Sequence, residues 1–338
     1  CKPWRFLMPL HDVHYQHWTG THLGIWARRW VIAKNGLTAC LNNKAIRNLV
    51  VLCWMLALTM AALLFLVGQL LVADSVVAQW VGKLNPQLQA FAQMLTQWLE
   101  DHPDISVGTT QNVLFYFFST YLMPVGIFVL GLAMPSLITR DLASNAILIY
   151  SSKAVTRGDY LLGKFCTAFG LLTVTWLGPA CAAWFLGNLL APDWRFFWHA
   201  RAALGHLLVY VVSSMLVLSA LALGVSAISN REKATPAAWF MWWILGGVLQ
   251  PIALHTKPWL RHLSFSYDLK QIGLSTFRLG DDLKTAQDNV PIFGQMLAGI
   301  SAETRDALTH ATLGGALAAL ALMLVAGAFI IRIRVTPE

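Results

Sequence analysis

Apolar residues in this chain are gathered into six long runs, with the polar residues collected in the intervals between them. The runs are Leu49–Ala73, Ile105–Thr139, Phe165–Pro192, Ala202–Asn230, Ala234–Thr256 and Ala307–Ile331, and none contains an Asp, Glu, Lys or Arg. Each is longer than the roughly 20 residues a helix needs to cross a bilayer core. A soluble domain would instead spread its apolar residues as stripes along amphipathic elements. The pattern predicts an all-α polytopic membrane protein of six transmembrane helices, with spans at about 49–73, 113–138, 165–190, 203–228, 236–255 and 309–331. These form one transmembrane domain over residues 49–335, preceded by a basic segment, 1–48.

The intervals have patterns of their own. In the first segment Ile25, Trp26, Arg29, Trp30 and Ala33 share a helical face, and Trp4, Trp18, Arg28, Lys34, Lys44 and Arg47 lie around them. This predicts a helix lying in the membrane interface with its indoles at headgroup depth. In the outer loop 74–112, Leu84, Leu88, Phe91, Leu95, Trp98 and Leu99 keep helical spacing. The interval 139–164 places Leu142, Ala146, Ile147 and Tyr150 on one face of a short helix. Residues 191–201, with Trp194, Phe196, Phe197 and Trp198, form a short turn with an aromatic belt. The fifth run carries Gly246, Gly247 and Pro251, which predict a kink or break at its outer end. The loop 256–308 is too polar to cross, and its stretch Val290–Ile300 suits a short helix dipping into the membrane.

Charge sets the orientation. With both termini and the intervals after the second and fourth spans on one side, that side holds 15 of the 24 Lys+Arg and 5 of the 16 Asp+Glu. The other side holds 9 and 11, so a net +10 faces a net −2. Basic residues accumulate on the cytoplasmic face, which predicts N-terminus in and C-terminus in. The overall +8 is therefore a topology signal, and no nucleic-acid partner is expected. The five cysteines avoid the outer loops, so no disulfide framework is expected there. No cleavable signal peptide is expected, because the residues before the first span lack an apolar core of suitable length.

Chemistry within the spans is sparse. Transporters driven by proton or sodium gradients usually keep ionisable residues inside their spans, whereas these spans carry only His206, His255 and His310 near their ends. Scattered single histidines do not make a metal site. There is no GxxxxGK[ST] phosphate loop, so no ATP hydrolysis by that route is expected of this chain. The energy for any transport is expected from another subunit.

The interval after the second span carries a more specific signal. Residues 138–165, ITRDLASNAILIYSSKAVTRGDYLLGKF, resemble the signature of ATP-binding-cassette exporter permeases of the six-span class, also called ABC-2 type. The matching positions are Asp141, Ser152, Lys153, Val155, Arg157, Asp159, Tyr160, Leu161, Leu162, Gly163 and Lys164. Ala154 stands where the family usually has proline, and Asn145 where it has glycine or another small residue. A second match is ALGVSAISNREKATPAAW at the end of the fourth span, and the basic Trp-bearing segment resembles the family's elbow helix.

The resemblance implies a bacterial inner-membrane permease subunit that is not itself an enzyme. It would pair with a second copy or a paralogue and bind two copies of a cassette ATPase, which hold the ATP and Mg. Loop 139–164 would supply the coupling helix. Leu142, Ala146, Ile147 and Tyr150 would then enter the ATPase groove beside Asp141, with Arg140, Lys153, Arg157 and Lys164 offering charge at its rim. The substrate path would run between the second and fifth spans. Phe115, Phe118, Tyr121, Met123 and Phe128 are available on the former, and Phe240, Met241, Trp243 and Ile244 on the latter. The rival reading is a membrane-embedded enzyme or assembly factor using His255, His262, Asp281 and Asp282 of the outer loops.

Overall fold

In hydrocarbon a chain without water has to satisfy every backbone N–H and C=O internally, and for a single segment that means a helix. Every regular element among the described residues is indeed helical. The structure is a computed structural model that describes residues 24–70, 103–145, 156–191, 194–255, 257–281 and 312–335.

The chain enters as α1 (Ile25–Leu41) and turns at Asn42 and Asn43. It continues as α2 (Lys44–Leu70), where Asn43 Oδ1 accepts the Ala45 N–H at 2.9 Å. Next, α3 runs as Pro103–Met134, a π turn Pro135–Thr139 and a last turn Arg140–Ala143. Helix α4 (Arg157–Leu189) also contains a π turn, Thr173–Leu177. Pro135 and Pro179 lie at or just after these turns, where a residue without an N–H disturbs the regular ladder. The remainder is α5 (Arg195–Ser226), α6 (Ala234–His255), a 3-10 turn Pro258–Leu263, α7 (Phe265–Thr276) and α8 (Leu313–Arg334).

Among the described residues, five helical stretches are long and apolar enough to cross a membrane: Lys44–Leu66, Val107–Ala143, Arg157–Leu189, Phe197–Ser226 and Leu313–Arg334. Helix α6 is a further apolar helix, of 22 residues. It runs unbroken through Gly246, Gly247 and Pro251 to His255, so the expected break is not there. The predicted helices at 84–99 and 290–300 lie outside the described residues.

Helices α3 and α5 form the centre of the core, with α4 alongside. Phe115, Leu122, Ile127, Leu130, Trp176, Tyr210 and Met215 are fully buried among them. Helix α1 lies along the first half of α4, and α2 along its second half. Helices α5 and α8 meet backbone to backbone at Gly224 and Gly327.

A further element differs from the sequence expectation. The first part of the polar interval after α6 is a buried helix and not an open loop. Phe265, Leu269 and Phe277 of the α7 segment are fully buried. Phe265 stacks on Trp239 at 5.1 Å, and Phe277 meets Tyr116 and Tyr210 edge to face at 5.9 Å. Ser264 caps α7 by accepting the Tyr267 N–H.

Candidate functional site

The family-like motif lies where several helices end at one side of the bundle. Its centre is the start of α4, which is fixed by a capping box. The Asp159 N–H donates to Thr156 Oγ1 at 3.2 Å, while Asp159 Oδ2 accepts from the Thr156 hydroxyl at 2.6 Å and its N–H at 3.4 Å. Helix α4 therefore begins at Arg157 rather than near 165, and the residues RGDYLLGK are its first two turns. The T-x-x-D spacing of Thr156 and Asp159 was the sequence signal for this start.

From those turns each polar side chain reaches a different element. Asp159 Oδ1 accepts from Arg29 Nε of α1 at 2.6 Å. Lys164 Nζ pairs with Asp141 at 2.7 Å and donates to the Ser136 carbonyl at 3.0 Å, both on α3. The Tyr160 hydroxyl donates to the same Asp141 at 2.7 Å. Arg157 donates to the carbonyls of Ile331 and Arg332, at 2.7 and 2.9 Å, in the last turn of α8. Cationic groups belong at a helix C-terminus, where carbonyls lack intrahelical donors. Arg140 makes a two-pronged pair with Glu232, just before α6.

Small residues allow the close approach of α1. A Cβ on Gly163 would stand 2.6 Å from Ile32 Cγ2, and one on Gly36 would clash with Thr167. The Thr167 hydroxyl donates to the carbonyls of Ala33 and Gly163. Outward, α1 exposes Ile25, Trp26, Trp30 and Val31. Arg29 stacks over Trp26 at 4.7 Å.

A second, buried polar cluster joins three helix ends beneath this assembly. In the π turn of α3, Ser226 of α5 accepts the N–H groups of Ile138 and Thr139, at 2.9 and 3.3 Å, and donates to the Met134 carbonyl at 3.0 Å. Thr139 Oγ1 donates to the Ser226 carbonyl at 2.9 Å and lies 3.1 Å from Thr235 Oγ1 of α6. Ser226 thus replaces the intrahelical partners that the π turn displaces. Ser226 and Thr235 both lie within the segment ALGVSAISNREKATPAAW, but their roles require contacts some 90 residues away in the chain.

Of the expected coupling residues, the structure thus brings Arg140, Asp141, Arg157 and Lys164 into this assembly, while Leu142 packs half-buried against the core. Ala146, Ile147, Tyr150 and Lys153 lie outside the described residues. Asn145 has φ 54°, a left-handed conformation that asparagine tolerates better than most residues.

The expected substrate-path residues divide. Phe115 is fully buried in the core and meets Phe118 edge to face at 6.4 Å, whereas Tyr121 is exposed. Phe240 packs on Gly131 and lies 5.1 Å from Phe128, so these two close α3 against α6. Met123 is buried, and Met241 and Ile244 face outward. Trp243 lines an open cavity of about 400 Å³ together with Met123, Pro124, Ile244, Gly247, Gln250, Ser266 and Lys270.

Among the outer-loop residues of the rival reading, His262 Nδ1 lies 2.6 Å from Asp268 Oδ1. Burial pushes the Asp268 carboxyl up to about 7, against the lowering effect of His262. His262 also packs on Gly315 of α8 and Tyr267. Asp281 is exposed at the end of the turn after α7, and Asp282 and the His255 side chain lie outside the described residues. Among the described residues no three His, Cys, Asp or Glu side chains converge as metal ligands. No protein-family model matches this chain, and no curated protein is significantly similar to it.

Proposed function

We propose that this chain is the permease subunit of an ATP-binding-cassette exporter. It works as a pair with a second copy or a paralogue and couples to two copies of a separate ATPase through the interval 139–164. In this reading α6 completes a set of six spans, α1 is the elbow helix, and both termini face the cytoplasm of a bacterial inner membrane. ATP and Mg are held by the partner.

The observation that best supports the reading is the anchoring of the interval. Its two flanks are tied by Lys164 and Tyr160 to Asp141, and from there to α1, α6 and α8 by Asp159, Arg140 and Arg157. A force on residues 146–155 would therefore reach several helices at once. The Thr139, Ser226 and Thr235 cluster would pass it to α5 and α6 without flexible side chains between. A loop that merely joined two spans would need no such bracing. The exposed Trp26 and Trp30 on α1 suit a helix at headgroup depth.

The test is retention of the ATPase. Ile147 and Tyr150 are one helical step apart, and truncating a buried interface anchor commonly costs about 2 kcal/mol, roughly thirtyfold in affinity. Replacing both by Asp adds desolvation of charge in a dry contact and should abolish co-purification of the cassette ATPase. Membrane yield should be unchanged. Full retention by the double variant removes the main support for the reading.

A further inference from the structure

The open cavity between α3, α6 and α7 has an uneven chemistry. Met123, Trp243 and Ile244 give it an apolar wall, whereas Lys270, Gln250 and Ser266 bring polar groups to it. Lys270 is half-buried, and desolvation lowers its pKa. No acidic side chain is placed against it among the described residues. Gln250 and Ser266 are meanwhile joined through Ser264, at 2.9 and 3.0 Å.

Depth follows from helix geometry. Gln250 is fifteen residues along α6 from Thr235, and Met123 is sixteen residues along α3 from Thr139. Thr235 and Thr139 touch. At about 1.5 Å per residue both lining residues stand roughly 22–24 Å above that contact. In a core about 30 Å thick this is near the opposite headgroup boundary. Trp243 lies roughly 10 Å deeper. A cation near headgroup depth above an apolar groove matches an acidic amphiphile.

We propose that this groove binds an acidic phospholipid of the leaflet on the α7 side, with the headgroup phosphate on Lys270 and an acyl chain along Trp243, Met123 and Ile244. The inference deepens the proposed function by naming a ligand class for the α3–α6 face. It requires only that these helices cross the bilayer, so it can fail without ATPase coupling failing, and the reverse. Gly247 offers an independent handle, since a Cβ there would meet nothing within 4 Å. A large side chain at this position would fill the groove and leave helix packing alone.

The experiment is native mass spectrometry of the full chain released from nanodiscs containing phosphatidylcholine and phosphatidylglycerol. The wild type should retain phosphatidylglycerol selectively. Lys270→Met should weaken retention about tenfold or more, as expected for loss of a charge-assisted contact. Lys270→Arg should retain the lipid, and Gly247→Phe should lose it with Lys270 intact. Lys257→Met, at an exposed cation, should behave as wild type, and unfolding midpoints should verify that each variant is folded. Equal retention by Lys270→Met, or equal retention of phosphatidylcholine by the wild type, overturns the proposal. Displacement of the lipid by inorganic phosphate alone would make the site a free-anion site and would overturn it too.

Discussion

Replacing Asp159 by alanine removes two interactions that share one carboxylate. One is the capping box at the start of α4, in which Asp159 accepts from Thr156 at 2.6 Å; the other is the 2.6 Å pair with Arg29. The side chains of Arg29 and Asp159 are 27% and 10% exposed, so solvent screens this pair less than a surface one. Loss of a cap commonly costs about 1 kcal/mol, and loss of a charge-assisted hydrogen bond about 1.5–3 kcal/mol. Asp159→Ala should therefore destabilise by about 2–4 kcal/mol, and Arg29→Ala by about 1 kcal/mol less, since it leaves the cap intact. The double variant should cost clearly less than the two added together, with a coupling of about 1.5 kcal/mol. Denaturant unfolding of the four proteins in detergent would measure this cycle. A second readout isolates the docking of α1. The Gly36 Cβ position lies 3.2 Å from Thr167 Cβ, within a few tenths of an ångström of disulfide range, so cysteines placed at 36 and 167 should cross-link. Asp159→Ala should slow that cross-link. Strictly additive costs together with an unchanged cross-linking rate would refute the claim that this pair holds α1 on α4.

Ser226→Ala should destabilise by about 1–3 kcal/mol, more than Thr235→Ala, because it leaves the Ile138 N–H and Met134 C=O buried without their partner; equal unfolding midpoints for the two variants would contradict this. The raised carboxyl of Asp268, at about 7, means that the folded chain holds a proton that the unfolded chain has released above its ordinary value near 4. Its contribution is then present below about 4 and lost as pH rises to about 7, so Asp268→Asn should fall off less than wild type between pH about 5 and about 8. A steeper fall in the variant would reverse the sign. Cysteine labels near Pro86 and Asp282 should react with an impermeant reagent from outside, and labels at Ser152 and Lys233 should not; reaction at Ser152 would overturn the proposed orientation.

The helical membrane-protein character of the chain was legible because it is a local property. An apolar run such as 202–230 has no other way to satisfy its backbone in hydrocarbon, whatever its neighbours do. The start of α4 was also local, written in Thr156 and Asp159, although the apolar run itself begins several residues later, at Phe165. Helix α7 escaped for the opposite reason. Its polar residues lower the average, yet Phe265, Leu269 and Ile272 keep a helical face that packs into the bundle. Side-chain roles depended on contacts far along the chain. Arg29 finds Asp159 across 130 residues, Arg157 finds the last turn of α8 across 174, and Thr139 finds Ser226 across 87. Nothing in the identity of a lysine distinguishes Lys164, which neutralises Asp141, from Lys270, which faces a groove. Hydropathy and capping are summed over neighbours in sequence and could be read there. Whether a charge is paired, and with what, is decided only when the packed helices bring distant turns within about 3 Å.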